Sequence, residues 1–273
     1  MTVTLLDGAM GTALIGAGLP AGALPERWLL DRPDEVRRVH AAHAAAGARV
    51  LLTCSFNLAA PRLRDGGIAA PLEDLARRAV AAARTAAPAA RVAGAVGPTL
   101  LAGAASPAEL RERYAEAFRA LAAAGVDLVW TESHWDLAEA RAALAAARAT
   151  GLPAVATFTF SDTRGALAAA SGEPALACLE ALAADGAAAV GVNCVLPGAP
   201  LAPLLAAAAP RLGVPLVAKP SAGLPGDIAA PGAFASWAVE LARAGAAWIG
   251  GCCGTDAGHL AMCARALGVD LKA

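Results

Sequence analysis

The chain has 273 residues, a formal net charge of −1 and a hydrophobic content of 58%. Its Lys and Arg residues do not gather into the basic stripe that nucleic-acid binding needs, which argues against a nucleic-acid partner. Gly, Pro or a charged residue interrupts every apolar run before the roughly 18–20 residues that span a membrane. The opening MTVTLLDGAM lacks the basic and apolar regions of a signal peptide. These features predict a cytoplasmic protein that binds neither nucleic acid nor a membrane.

Short β-rich runs alternate along the chain with longer segments rich in Ala, Leu and Arg. Strands are predicted at Val3–Leu6, Val50–Thr53, Val92–Val96, Leu128–Thr131, Ala154–Phe158, Ala189–Val192, Pro215–Ala218 and Ala246–Gly250. Helices are predicted between them at Pro33–Ala46, Leu72–Ala86, Pro107–Ala124, Leu137–Thr150, Pro174–Asp185, Pro200–Leu212 and Pro231–Gly245. Several of these helices open with Pro and several end at Gly, as helix boundaries commonly do.

This alternation, repeated along a chain of this length, predicts an α/β fold with a single (β/α)8 TIM barrel over residues 1–273. A doubly wound open sheet is the alternative, but the run Gly8–Gly11 lacks the G-x-G-x-x-G spacing typical of its phosphate loop. The segments Gly16–Trp28 and Ser221–Ile228 are predicted as loops or lids over the barrel mouth.

Thiols follow two of the predicted strands, at the end of a barrel where active sites form. Cys194 follows the sixth strand, and the adjacent Cys252 and Cys253 follow the eighth. Six cysteines in a reducing compartment indicate a metal or chemistry more than disulfides. Three thiolates suit zinc, and three protein ligands leave a fourth position open, as in catalytic sites. A thiol substrate in that position would be deprotonated at neutral pH. The alternative is that these cysteines are buried apolar fillers.

The motifs along the chain resemble those of the homocysteine S-methyltransferase domain family, from Asp7 to about Leu267. The resemblance is carried by the segments Asp7–Thr12, Ala46–Phe56, Val92–Pro98, Glu132, Gly191–Cys194 and Gly250–Thr255. It implies a TIM barrel that transfers a methyl group to the thiol of homocysteine, with Cys194, Cys252 and Cys253 as catalytic ligands of a zinc ion.

The resemblance also implies the residues that bind the substrate. Asp7 and Glu132 are expected to face the homocysteine ammonium, and the turn from Thr53 to Ser55 and the backbone amides near Gly8 to help bind its carboxylate. Asn193, beside the first zinc ligand, is included as a substrate-binding residue. Taken without the family, Asp7 could instead cap the turn that follows it.

The methyl donor is expected to be a small molecule, S-methylmethionine or S-adenosylmethionine, because no folate or cobalamin domain follows the barrel. However, the loop Lys219–Pro225 is similar to one in cobalamin-dependent methionine synthase, except that Ser221 stands where that family usually has Asn. A separate methylcorrinoid protein is therefore the alternative partner. A different barrel enzyme, such as a lyase, would need a Schiff-base lysine, for which Lys219 is the candidate.

The histidines are assigned lesser roles. His40 and His43 form an H-x-x-H pair on a helix outside the barrel, where packing or surface roles are expected. His259 is expected to lie in a helix after the zinc loop, with a structural role, and His134 to lie near the barrel mouth. Trp28 and Trp135 are candidates either for a donor pocket or for packing.

Overall fold

Eight parallel strands form one sheet in the computed structural model, which describes residues 3–163, 165–196, 198–224 and 226–269. In chain order the strands are Thr4–Leu5, Val50–Leu52, Arg91–Val96, Leu128–His134, Ala154–Phe158, Ala189–Asn193, Leu216–Lys219 and Ala246–Ile249. From the second to the eighth, each strand pairs with the next one in the chain, and the eighth pairs with the first. A bridge between Leu6 and Val50 joins the first strand to the second and closes the barrel. The predicted TIM barrel is confirmed.

Helices follow every strand and surround the barrel. They are α1 (Met10–Gly16), α2 (Trp28–Asp31), α3 (Pro33–Ala45), α4 (Arg62–Asp65), α5 (Leu72–Ala86), α6 (Pro107–Ala123), α7 (Leu137–Arg148), α8 (Ala175–Ala184), α9 (Leu201–Ala208), α10 (Pro231–Arg243) and α11 (Ala257–Leu267). The predicted helices are confirmed to within a few residues, whereas α1, α2 and α4 were not predicted. Helix α9 ends before its predicted end at Leu212 because Pro210 has no N–H to continue the ladder.

Local signals fix where the helices begin. At the start of α6, the Ser106 hydroxyl accepts a hydrogen bond from the Glu109 amide, and the Glu109 carboxylate accepts one from the Ser106 amide. This reciprocal pair satisfies two N–H groups that a helix start leaves free. At α11, Asp256 caps the helix by accepting from the His259 amide at 3.0 Å. Because α11 starts directly after the predicted zinc loop, this cap also fixes the end of that loop.

The core has two layers, one inside the barrel and one between the barrel and its helices. Alternate residues of a strand point to opposite faces, so Ala93 and Ala95 face the interior while Val92 packs against the helices. The interior is rich in small residues, and Trp130 fills it, with its ring 5.9 Å from that of Trp248. This filled interior leaves the mouth, where the strands end, as the place for a ligand.

Loops at the mouth carry two short hairpins that were not predicted. Ser161–Asp162 pairs with Leu167–Ala168, and Gly223–Leu224 pairs with Asp227–Ile228. The second hairpin occupies most of the segment expected to be a loop. Pro225, which belongs to the motif described above, lies outside the described residues, as do residues 1–2 and 270–273 of the predicted domain. No helix in the described ranges is long and apolar enough to cross a membrane.

Candidate functional site

The thiols of Cys194, Cys252 and Cys253 lie together at the barrel mouth. Their three sulfur atoms are within 4.8 Å of one another, and the Cys194 and Cys253 sulfurs are 3.8 Å apart. A tetrahedral zinc ion with Zn–S bonds of about 2.3 Å would hold its sulfur ligands roughly 3.8 Å apart. The sulfur donors and their spacing therefore fit zinc, with one position left for a further ligand.

Backbone hydrogen bonds between neighbouring loops bring these cysteines together. The Cys194 amide donates to the Lys219 carbonyl at 3.1 Å, and the Cys252 amide donates to the Pro220 carbonyl at 2.8 Å. The seventh strand, between the two cysteine-bearing strands, thus positions both loops. Cys194 itself has a φ of 60°, in the left-handed region that costs energy for a residue with a side chain.

The glycines before the cysteine pair allow close packing of the loop. A Cβ on Gly250 would lie 2.7 Å from the Asp7 carbonyl oxygen, and one on Gly251 would lie 2.3 Å from the Thr255 hydroxyl. Thr255 in turn donates to the Cys252 carbonyl at 2.7 Å. The residue type at these two positions is therefore set by close packing against the Asp7 backbone and the Thr255 side chain.

The three thiols share their protons unequally. Hydrogen bonds from Cys194 and Cys252 lower the pKa of Cys253, because they stabilise its thiolate. Cys252 donates hydrogen bonds to the sulfurs of Cys194 and Cys253, and both bonds raise the pKa of its own thiol. The cluster thus favours a thiolate before any cation arrives, as expected of a metal site that must lose protons to bind its ion.

A buried charged group lies beside the thiols. Asp7 accepts from the Leu52 amide at 2.7 Å and from the Lys219 amine at 2.5 Å, and both members of this ion pair are about 4% exposed. Burial disfavours the charge on Lys219, but Asp7 and Glu132 outweigh it and raise the pKa of the amine. The sequence suggested Lys219 only as a Schiff-base lysine, and its pairing with Asp7 was missed.

Glu132 is the acid that remains available to a ligand. Burial raises its pKa to about 7, an effect that Lys219 opposes and the negative charge of Asp7 reinforces. None of the hydrogen bonds found among the described residues involves its carboxylate. A carboxyl group with a raised pKa in a cavity is a candidate binding or catalytic group.

Asn193 and Ser133 hold the chain next to Glu132. The Asn193 side chain accepts from the Ser133 amide at 2.9 Å and donates to its hydroxyl at 2.6 Å. Ser133 has a φ of 59°, so these two bonds stabilise a strained backbone. Asn193 is fully buried and does not line the cavity described below. The arrangement gives Asn193 a positioning role.

The hydroxyls of Thr53 and Ser55 join the ends of the second and third strands. Thr53 and Ser55 contact each other through their hydroxyl oxygens at 2.5 Å, and Ser55 donates to the Ala95 carbonyl at 2.7 Å. Gly8 lies across from them, where a Cβ would be 3.1 Å from both His43 and Thr255. Each of these predicted substrate residues borders the cavity.

A cavity of about 510 Å³ connects the thiols to the charged group. Its lining includes most of the sequence-predicted site: Asp7, Gly8, Thr53, Ser55, Glu132, Cys194, Cys252 and Cys253. Lys219, Phe56, Trp135 and a further polar group, Glu26, Asn57 and Arg62, also line it. That group was missed, because Glu26 lies in a segment predicted as loop and bonds a residue 31 positions away.

Of the residues assigned lesser roles, the histidines lie outside this cavity. His40 and His43 are 0% and 2% exposed, so their role is packing. His134 is buried with its ring 5.7 Å from that of Tyr114. His259 bonds the Asp256 carboxylate and the Ala229 carbonyl, which confirms a structural role.

Of the two tryptophans and the three remaining cysteines, some border the cavity and the others are buried away from it. Trp28 is buried in the core, whereas Trp135 borders the cavity. Cys54 also borders it, and burial raises the pKa of its thiol far above the ordinary value. Cys178 and Cys263 are buried on helices α8 and α11.

Comparison with known proteins identifies relatives over nearly the whole chain. The family model described as homocysteine S-methyltransferase matches residues 4–267. Homocysteine S-methyltransferase 4 of Zea mays is 29% identical over 311 residues, covering 96% of this chain and 89% of that protein. The metallated form of the homocysteine methyltransferase MmuM from Escherichia coli superposes with a TM-score of 0.82 at 27% identity, covering 97% of this chain and 96% of MmuM.

Larger proteins are also similar to the chain. The methionine synthase of Mycobacterium tuberculosis is 30% identical over 294 residues, and that of Mycobacterium leprae 29% over 292. The alignments cover 96% of this chain but only 24% of each of those proteins. The chain therefore spans about a quarter of the length of these relatives.

Proposed function

Because the chain belongs to the homocysteine S-methyltransferase family, we propose that it transfers a methyl group from a small sulfonium donor to the thiol of L-homocysteine, forming methionine. The observation that carries the proposal is the cluster of three thiols, spaced for zinc, on the cavity that Glu132 also lines. Among the described residues, no hydrogen bond was found to the Glu132 carboxylate. An acid and a metal-bound thiol position are what a thiol amino acid requires.

Cys194, Cys252 and Cys253 would hold the zinc ion as three thiolates. Zinc in this setting would bind the homocysteine sulfur and lower the pKa of its thiol. The loops that carry the cysteines are fixed by backbone bonds to Lys219 and Pro220, so the sulfurs need little rearrangement to bind the ion.

The acceptor would be oriented by the charged group. Glu132 is the proposed partner of the homocysteine ammonium, with Asp7 as the second acid, because an ammonium binds carboxylates by charge-assisted hydrogen bonds. Asp7 is already paired with Lys219, so Glu132 supplies the larger part of the unpaired charge. The substrate carboxylate would lie near Gly8 and the Thr53–Ser55 turn, beside the start of α1, whose first N–H groups have no partner within the helix.

The transfer needs no general base after the thiol proton has been lost to solvent. The homocysteine sulfur attacks the donor methyl carbon and forms a new C–S bond. The bond between that carbon and the donor sulfur breaks, and its electron pair stays on the donor sulfur, which becomes a neutral thioether. Holding the two sulfurs in line is the protein's contribution. The raised pKa of Lys219 keeps its amine protonated, which disfavours the alternative of a Schiff-base lyase.

A second candidate is a homocysteine-activating module that receives its methyl group from a separate methylcorrinoid protein. The similarity to one quarter of the mycobacterial methionine synthases favours it. Methionine formation from homocysteine and S-methylmethionine by the purified chain would support the small donor. Formation only after a methylcorrinoid protein is added would support the module. The cytoplasmic location remains a prediction.

The zinc assignment is tested by comparing Cys252→Ala with Cys263→Ala. Cys263 is buried on α11, away from the cluster, and serves as the matched control. The first variant is expected to lose stoichiometric zinc, measured by elemental analysis, together with methionine formation. The control should keep both. Full zinc content and full activity in Cys252→Ala would contradict the proposal.

A further inference from the structure

The cavity contains a second polar group that the acceptor does not need. Glu26 is 0% exposed and accepts hydrogen bonds from the Asn57 amide at 2.7 Å and from the Asn57 side chain at 2.9 and 3.1 Å. Asn57 in turn accepts from the Arg62 Nε at 2.6 Å. These three residues form a chain of hydrogen bonds from a buried carboxyl group to an exposed guanidinium.

This series of hydrogen bonds fixes the orientation of the Arg62 side chain. Asn57 can accept from Arg62 only because Glu26 takes up the Asn57 donors, which leaves the Asn57 carbonyl oxygen facing the guanidinium. Within the described residues, this bond through Nε is the sole hydrogen bond found for the Arg62 side chain. Its two Nη groups therefore have no hydrogen-bond partner there, and the residue lines the cavity.

The surrounding loop supports this arrangement from outside. Arg27, next to Glu26, donates to the Gly66 and Gly67 carbonyls at 3.0 and 3.1 Å. This contact ties the segment that carries Glu26 to the end of α4, at whose first residue Arg62 stands. The Asn57 bond holds the Arg62 side chain and the Arg27 contact holds the far end of its helix. A prepositioned arginine loses less side-chain entropy when it binds a ligand.

Free Nη groups on a cavity edge suit a carboxylate, which the planar guanidinium binds in bidentate fashion. The acceptor end of the cavity already has its own charged group in Asp7, Glu132 and Lys219. Cavities of about 300–1,000 Å³ hold drug-sized ligands, so the 510 Å³ here has room for a second small molecule. A second carboxylate must come from that molecule.

We propose that Arg62, held by Asn57 and Glu26, binds the carboxylate of the methyl donor. This inference rests on the proposed function. It names a specificity residue for the donor and leaves the acceptor site unchanged.

The test compares two donors in Arg62→Met and the control Arg64→Met. S-methylmethionine carries a carboxylate, and trimethylsulfonium does not. Arg64 is exposed, stands two residues further along α4 and does not line this cavity. Arg62→Met should raise the KM for S-methylmethionine roughly 10- to 100-fold, the value of a charge-assisted hydrogen bond. In Arg62→Met, the kcat and KM for trimethylsulfonium and the KM for homocysteine should change less than about threefold. Arg64→Met should have the same kinetic constants as the unchanged protein.

Other outcomes separate the two proposals. An equal loss with both donors would assign Arg62 to folding alone and overturn the inference, as would an unchanged KM for S-methylmethionine. Arg62→Lys, which keeps the charge, should have a KM for S-methylmethionine between those of the unchanged protein and Arg62→Met. If the unchanged protein transfers no methyl group from either donor, the proposed function fails, and titration calorimetry with S-methylmethionine decides the inference. Binding that Arg62→Met weakens roughly 10-fold would support it, and no binding would overturn it.

Discussion

Replacing Lys219 by Met should destabilise the protein strongly, because it leaves the Asp7 carboxylate buried without a cation. Both side chains of this ion pair are about 4% exposed. Removing one member of a buried pair costs about 3–5 kcal/mol. Glu132 adds little to the penalty because its raised pKa, about 7, lets it take up a proton. At roughly 2 °C per kcal/mol for a domain of this size, the melting temperature should fall by about 6–10 °C.

The assay is thermal unfolding monitored by circular dichroism, with a chelator present so that metal binding does not contribute to the stability. The double variant Lys219→Met/Asp7→Asn should recover most of the lost stability, because a buried pair replaced by neutral groups is often tolerated. A melting temperature of Lys219→Met within about 2 °C of the unchanged protein, or a double variant less stable than the single one, would contradict a buried ion pair that stabilises the fold.

Two further predictions concern stability. Burial lowers the pKa of His40 to about 4, and neither ring nitrogen has a partner within the described structure. The unfolded chain therefore binds more protons between pH 6.5 and 4, so stability should fall by up to about 3 kcal/mol per buried His as pH drops through this window. Urea unfolding of His40→Leu should show a shallower fall. Gly191→Ala would bring a Cβ to 2.0 Å from the Val217 carbonyl oxygen and should yield little folded protein by circular dichroism. Gly213→Ala, which meets nothing within 4 Å, should fold normally.

The barrel was predictable because its signals are local. Short β-rich runs, longer segments rich in Ala, Leu and Arg, Pro at helix starts and Gly after helix ends act over a few residues, and the helix Leu72–Ala86 was predicted with its observed bounds. The fourth strand runs on to His134, past its predicted end at Thr131, and its pairing with the fifth shifts register there. Such an irregularity depends on the neighbouring strand and leaves no pattern in the strand itself.

The thiol cluster could be predicted for a related reason. A barrel brings the carboxyl ends of its strands to one face, so Cys194 and Cys252 were expected to meet despite their distance in sequence. Their backbone positions, set by bonds to Lys219 and Pro220, could not be foreseen. Nor could the use of Asn193 to hold Ser133, because an amide at a strand end serves a ligand and a loop equally well.

The pairing of the charged side chains in the cavity could not be predicted from the sequence. Asp7 and Lys219 are 212 residues apart, and each alone is a plausible ligand for a zwitterion. Among the described residues, Glu132 then has a carboxylate without a hydrogen-bond partner, and Arg62, which bonds Asn57 only through Nε, has two Nη groups without one. A carboxylate and a guanidinium on the same cavity match the ammonium and carboxylate groups of amino-acid ligands. On the proposed function, the specificity of the site would follow from which charges the fold neutralises internally, and that depends on side-chain contacts that only the folded chain forms.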